Sequence, residues 1–171
     1  MAAKNQSSSR KLGVSFGPYN VQDLVFYVTQ NSYAIVNVSP IVPGHVLVCP
    51  RRAVDRIGKL SSIEHADLFT AVSAVARSIE RYSGAQGIVI AVQDGTIVGQ
   101  SINQVHVHII PKRSDDLINA KEMYTFMSDI NIQKAFEDWS NGNLQPGVMQ
   151  EIGLETDRLK LYMATVADPR I

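Results

Sequence analysis

QDGTIVGQSINQVHVHIIPKR, residues 93–113, is the stretch on which the fold turns. Within it Gln104, His106 and His108 alternate with Val105, Val107 and Ile109. A period of two marks a β-strand, whose successive side chains point to opposite faces. The spacing predicts a strand over residues 102–110, ended by Pro111, with an aliphatic back and a polar, titratable front. Same-face neighbours on such a strand lie about 6.6 Å apart. Two of the four histidines in the chain share that front.

Outward from this strand the pattern is mixed. Residues 25–29 (VFYVT) and 33–37 (YAIVN) are β-rich runs separated by Gln-Asn-Ser, which reads as a hairpin. Pro40, Pro43 and Gly44 break the chain before a short apolar strand over residues 45–49, closed by Pro50. Ser61-Ser62-Ile63-Glu64 is a capping-box pattern. Beyond it Leu68, Val72, Val75, Ile79 and Tyr82 form one continuous apolar face, so a helix over residues 61–82 is predicted, ended by Ser83-Gly84. Residues 88–93 read as a further strand, and DGTIVG as a glycine-bounded loop. This is an α+β pattern: an antiparallel sheet of about five strands with one long helix across it.

Composition bounds the function. A length of 171 residues, 45% hydrophobic and 19% charged, fits one globular domain. Three stretches are expected within it: a flexible N-terminal tail over residues 1–14, a core over 15–113, and an acidic, mostly helical extension over 114–171. In that extension Ile132, Ala135, Phe136 and Trp139 mark one amphipathic helix, and Val148, Ile152, Leu159 and Met163 mark another with Gly153 as a weak point. Gln145-Pro146-Gly147 reads as a breaker between them. The acidic part over 114–140 reads as a surface appendage, with a cover over the substrate as the alternative. No apolar run reaches the ~18 residues of a membrane helix, and one cysteine, Cys49, fits a reducing compartment. Cytoplasmic residence is expected, with nuclear residence compatible. The basic, Ser-rich N-terminus leaves organelle targeting as the other reading.

Sixteen basic residues balance sixteen acidic ones, which argues against bulk attraction to nucleic acid or an anionic membrane. The balance is a cancellation: seven basic and two acidic residues over 1–60, four of each over 61–113, five basic and ten acidic over 114–171.

The histidine front is open to three readings on the residues alone. It is a pair of satisfied structural histidines, or two ligands of a metal, or a nucleophile acting at phosphorus. The metal reading needs further ligands; His45 offers a third, and Asp94 is the only acid within residues 93–113. The third rests on neutral imidazole being a good nucleophile near neutral pH.

QVHVHII followed by Pro111 resembles the signature of the histidine triad (HIT) superfamily, His-φ-His-φ-His-φ-φ. YAIVNVSPIVPGHVLVCPRR at 33–52, ADLF at 66–69 and QDG-x3-GQS at 93–101 resemble its fragile histidine triad branch, the diadenosine triphosphate hydrolases. The resemblance covers residues 15–113. It implies a dinucleoside polyphosphate substrate, hydrolysis through a nucleotidyl-histidine, and a homodimer whose sheets join into one. Its other enzymatic readings are a nucleoside phosphoramidase or a diadenosine tetraphosphate-cleaving enzyme, and the non-enzymatic one is a low-turnover nucleotide sensor.

Carried over by position, the resemblance makes His106 the nucleophile and His108 a contact to the scissile phosphate. Gln93, Gly99, Gln100, Ser101 and Ile102 fall in the phosphate-binding stretch, and Asn37 at a ribose contact. His45 matches a histidine that supports the triad from behind. Phe16, Val21, Ile35 and Leu47 border the adenine slot. No tightly bound cofactor and no metal held by protein ligands are implied; magnesium or manganese enters with the substrate phosphates. Gln104 stands where the family has its first histidine. Glutamine donates and accepts but carries no proton charge, so the departure bears on rate and on the orientation of His106.

Overall fold

A computed structural model describes residues 13–116, 119–129 and 131–166. The N-terminal tail before Gly13 lies outside the described residues. Two short strands, β1 (Ser15–Phe16) and β2 (Tyr19–Asn20), form a small hairpin. Strands β3 (Val25–Val28), β4 (Ser32–Val36) and β5 (Val46–Pro50) lead into helix α1 (Ser62–Ser83). Strands β6 (Gly87–Ala91) and β7 (Val107–Lys112) follow, then helices α2 (Ala120–Asp129), α3 (Ile132–Ser140) and α4 (Pro146–Val166). The main sheet has the order β3-β4-β5-β7-β6, antiparallel throughout.

Helix α1 begins as the capping box requires. Ser61 Oγ accepts the Glu64 backbone N–H, and Glu64 Oε2 accepts the Ser61 N–H. Gly84 ends it in the left-handed conformation. Leu68, Val72, Val75 and Ile79 are buried, as their spacing predicts.

Register sorts the sheet into two faces, because directly paired residues share a side. Ala91, His108, Leu47 and Ile35 line the front. Ile90, Ile109, Val46 and Val36 line the back, with Val107, Val48 and Ala34 beside them. Val72 and Ala76 of α1 share a groove with Ile88 and Ile90, which places α1 on the back. Helix α4 lies next to it: Tyr82 meets Tyr162 edge-on at 5.3 Å and donates its hydroxyl to Glu155 at 3.1 Å. On the front, Met123 and Met127 of α2 pack with Val42, Ile110, Val89 and Ala91.

Four expectations are corrected. The last strand runs from Val107 to Lys112 rather than over 102–110, and Pro111 lies inside it. Strand β5 begins at Val46, opposite Ile109, so at Pro111 no β5 neighbour requires an N–H. Gln104 sits in a bend ahead of the ladder, its N–H bonded to the Ile102 carbonyl, and the Val105 N–H bonds to the Val54 carbonyl before His106 leads into β7. Strand β6 stops at Ala91, short of Gln93. Pro146 starts α4 instead of separating helices, since the first helical position needs no N–H donor, and α4 runs unbroken through Gly153. Finally, the acidic 114–140 stretch is more than a surface appendage: α2 packs on the front of the sheet, and α3 packs on the β1–β2 hairpin. No helix among the described residues is long and apolar enough to cross a membrane.

Candidate active site

The polar front of β7 is as buried as its back. Gln104, His106 and His108 are each 1% exposed. Charged imidazolium is costly there, so burial holds all three nearby histidines, His45, His106 and His108, below the usual range; for His45 the pKa falls to about 3. Mutual proximity adds to the depression at His45 and His108. The cluster is neutral at pH 7.

Hydrogen bonds then decide where each proton sits. The Ile41 backbone N–H donates to His45 Nδ1 at 3.1 Å, so the His45 proton is on Nε2. That Nε2–H donates to His108 Nδ1 at 2.9 Å. The His108 proton is therefore on its own Nε2. His106 is set the opposite way: its Nδ1–H donates to the Gln104 carbonyl at 2.8 Å, leaving Nε2 a bare lone pair. The two rings lie side by side, centroids 5.0 Å apart. Both Nε2 atoms are buried without a hydrogen-bond partner among the described residues, and so is Ser101 Oγ. One imidazole presents a nucleophile and its neighbour presents a proton donor.

Gln104 does not take part through its side chain in the same way. Its Oε1 accepts the Gly17 N–H at 2.9 Å, and its Nε2 donates to the Pro50 carbonyl at 3.0 Å and to Tyr33 Oη at 3.3 Å. It thereby clamps the β1–β2 turn to the end of β5. The Tyr33 hydroxyl donates on to the Ser15 carbonyl at 2.7 Å. The clamp fixes Phe16, whose ring stands edge-on to His106 at 5.2 Å. Gly17, at φ +55, is needed in that turn: a Cβ there would lie 2.7 Å from the Ile102 methyl.

The remaining expected residues fall into two groups. Phe16, Val21, Ile35 and Leu47 are fully buried members of the core cluster, with Ile35 and Leu47 on the histidine face. Gln93 and Gly99 adjoin one another, and at Gly99 (φ +95) a Cβ would overlap the Gln93 amide. Ser101 keeps a free buried hydroxyl, and Ile102 packs in the main core. Gln100 instead donates its amide to the Asp55 carbonyl at 2.9 Å. Asn37 lies against His45, its amide nitrogen 3.3 Å from each ring nitrogen and its oxygen accepting the Ser39 N–H. A cavity of about 490 Å³ between the 36–46 stretch and α4 includes Asn37 and His45 but neither His106 nor His108.

Three contributors escaped the sequence reading: the Ile41 amide, Tyr33 and Phe136. A backbone N–H carries no residue signature. Tyr33 read as a strand residue, and Phe136 as part of an amphipathic helix. Phe136 in fact lies edge-on to Phe16 at 5.1 Å and stacks on Tyr19 at 6.0 Å.

The HIT domain family model matches residues 19–115. A bifunctional bis(5'-adenosyl)-triphosphatase/adenylylsulfatase of Arabidopsis thaliana is 32% identical over 166 residues, covering 96% of this chain and 84% of that protein. A bis(5'-nucleosyl)-tetraphosphatase (asymmetrical) of Schizosaccharomyces pombe is 44% identical over 110 residues, 64% of this chain and 60% of that one. The crystal structure of Plasmodium falciparum diadenosine triphosphate hydrolase in complex with cyclomarin A superposes with a TM-score of 0.67 at 24% identity, covering 98% of this chain and 92% of that one. With its histidine strand, five-stranded sheet and family match in agreement, this chain belongs to the HIT domain family.

Proposed function

We propose that this chain hydrolyses dinucleoside polyphosphates, cleaving diadenosine triphosphate to AMP and ADP. The observation that carries the reading is the set of hydrogen bonds that gives two adjacent imidazoles opposite tautomers, a bare His106 Nε2 beside a protonated His108 Nε2. His106 Nε2 attacks the α-phosphorus. The bond from that phosphorus to the bridging oxygen breaks, and ADP leaves with the electron pair. Water then attacks the adenylyl-His106 intermediate, the P–N bond breaks, and AMP and free His106 result. Splitting the hydrolysis this way replaces one difficult displacement by two easier ones. The His108 Nε2–H donates to a phosphoryl oxygen, and Ser101 Oγ and the Gln93 amide supply further neutral donors. Such donors follow charge on the phosphate without placing a fixed cation in the cleft. Magnesium or manganese, where it assists, arrives on the substrate phosphates.

The names of the relatives support this substrate class. The tetraphosphatase at 44% identity supports diadenosine tetraphosphate as the second substrate to test. Oligomeric state follows the same reading. Strand β6 is a free sheet edge, and its Ile90 and the adjacent Phe69 of α1 are 49% and 45% exposed. Exposed apolar side chains along an unpaired edge suit continuation of the sheet into a second copy, and sedimentation velocity is expected to give a dimer. Buried, unpaired Cys49 suits a cytoplasmic setting.

Incubation with diadenosine triphosphate and chromatography of the products tests the function. Equal amounts of AMP and ADP are expected. Tight binding with negligible turnover would make the protein a nucleotide sensor instead.

A further inference from the structure

The two nitrogens assigned to chemistry are sealed. His106 and His108 are 1% exposed, and neither Nε2 reaches solvent. A phosphate ester cannot touch them until part of the front layer moves. Two parts of that layer differ in how they are held. The β1–β2 hairpin is bolted down by the Gln104 clamp, the Tyr33 hydroxyl and the Phe16–Phe136 contact. Helix α2 sits on a separate small cluster, Val42, Ile110, Met123 and Met127, outside the main core. Among the described residues its anchors in that cluster are two methionines, whose flexible side chains adapt to more than one packing. Small, detached clusters open at lower free energy than a main core.

Among the described residues, one hydrogen bond links α2 to the phosphate-binding stretch. The Gln93 amide donates to the Met127 carbonyl at 3.5 Å, at the long end of hydrogen bonding. Met127 lies in the last turn of α2, where carbonyls lack intrahelical donors and carry the negative end of the helix dipole. A phosphoryl oxygen is the same kind of partner for the same amide, and a stronger one. The stretch over 114–140 holds six acidic residues and two basic ones, so it repels a polyphosphate.

We propose that α2 is an autoinhibitory cover: in the free enzyme the Met127 carbonyl holds the Gln93 amide, and a substrate phosphate takes that amide and displaces the helix. The inference rests on His106 being the nucleophile. Its consequence is that apparent affinity is lowered by the fraction of time the cover is shut.

Two variants pull in opposite directions. Met123→Asp puts a charge into the α2 anchor and is expected to open the cover. Diethylpyrocarbonate modification of His106, followed by peptide mass spectrometry without substrate, should then speed up about tenfold, and kcat/KM for diadenosine triphosphate should rise about threefold. A Val42→Cys/Met123→Cys pair bridged by a short bismaleimide is expected to lock it. The engineered pair, buried while α2 is docked, reacts as the helix lifts, whereas Cys49 inside β5 stays buried in both states, and kcat/KM should fall at least about tenfold relative to the unbridged pair. Unchanged His106 modification in a folded Met123→Asp protein overturns the proposal, as does loss of its turnover. If Met123→Asp fails to fold, the bridged pair decides: turnover equal to the unbridged pair overturns the cover. Failure of the nucleophile reading shows separately, as turnover retained in His106→Ala, and leaves the modification result standing.

Discussion

Across β4, β5 and β7 the two faces of the central sheet are equally dry and chemically opposite. The back, Ala34, Val48 and Val107 beside Val36, Val46 and Ile109, packs against α1. Among the described residues it carries one unpartnered buried polar atom, Ser32 Oγ at the start of β4. The front is buried to the same degree, yet among the described residues His106 Nε2 and His108 Nε2 lack partners, as does Ser101 Oγ in the loop ahead of them. A buried polar group without a partner costs roughly 1–3 kcal/mol. Such groups persist where a ligand completes them, so the proposed chemistry lies on one side of this segment and the packing core on the other.

The sharpest way to break that division is at neighbouring positions of the strand. His106→Ala is expected to lower turnover at least ~10³-fold with a thermal transition close to that of the parent. Ile109→Ala, on the back, is expected to cost about 2–5 kcal/mol in denaturant unfolding while the folded enzyme keeps its kcat. Equal loss of stability from both changes would erase the distinction.

Gln104 joins the two properties, so its variants should move both. Gln104→Ala strands the Gly17 N–H and the Pro50 carbonyl and should cost about 1–3 kcal/mol by urea titration, with kcat falling as Phe16 loses its place against His106. Gln104→His, with one N–H and one acceptor, can meet two of the three side-chain bonds the glutamine makes. It should recover part of that stability.

The most gradual effect is the dependence on pH. His45, His106 and His108 have folded pKa values below the ordinary 6.5, so below that pH the unfolded chain binds more protons than the folded one. Stability is then level above about pH 6.5 and falls as pH drops toward about 3, the value for His45, by up to ~1.4 kcal/mol per pH unit for each histidine involved. Carrying out urea titrations from pH 8 to 4 checks the sign. Stability rising on acidification through 6.5 would contradict neutral burial of the cluster.

Much of this could be read from residue order. Alternation over 104–109 showed the strand and its two-sided character, and Ser61 with Glu64 and the 68/72/75/79 spacing showed α1. These are local patterns with fixed periods. Pro111 inside β7 was not legible, because its tolerance depends on where β5 begins. Nor was the hydrogen-bond chain that sets the tautomers: it runs from the Ile41 amide through His45 to His108, and its last link joins residues 63 apart that the β5–β7 pairing brings together. The position of α2 was hidden for a similar reason. Met123 and Met127 fit any amphipathic helix, and only the surface presented by Ile110 and Val42 decides where it docks.

The central claim is that His106 Nε2 forms a bond to phosphorus. Rapid acid-free quenching during turnover of diadenosine triphosphate, followed by peptide mass mapping at neutral to alkaline pH, tests it directly. The account predicts an adenylyl group on the peptide containing His106, absent in His106→Ala. Full turnover by His106→Ala, or the adduct on His108 instead, would contradict it.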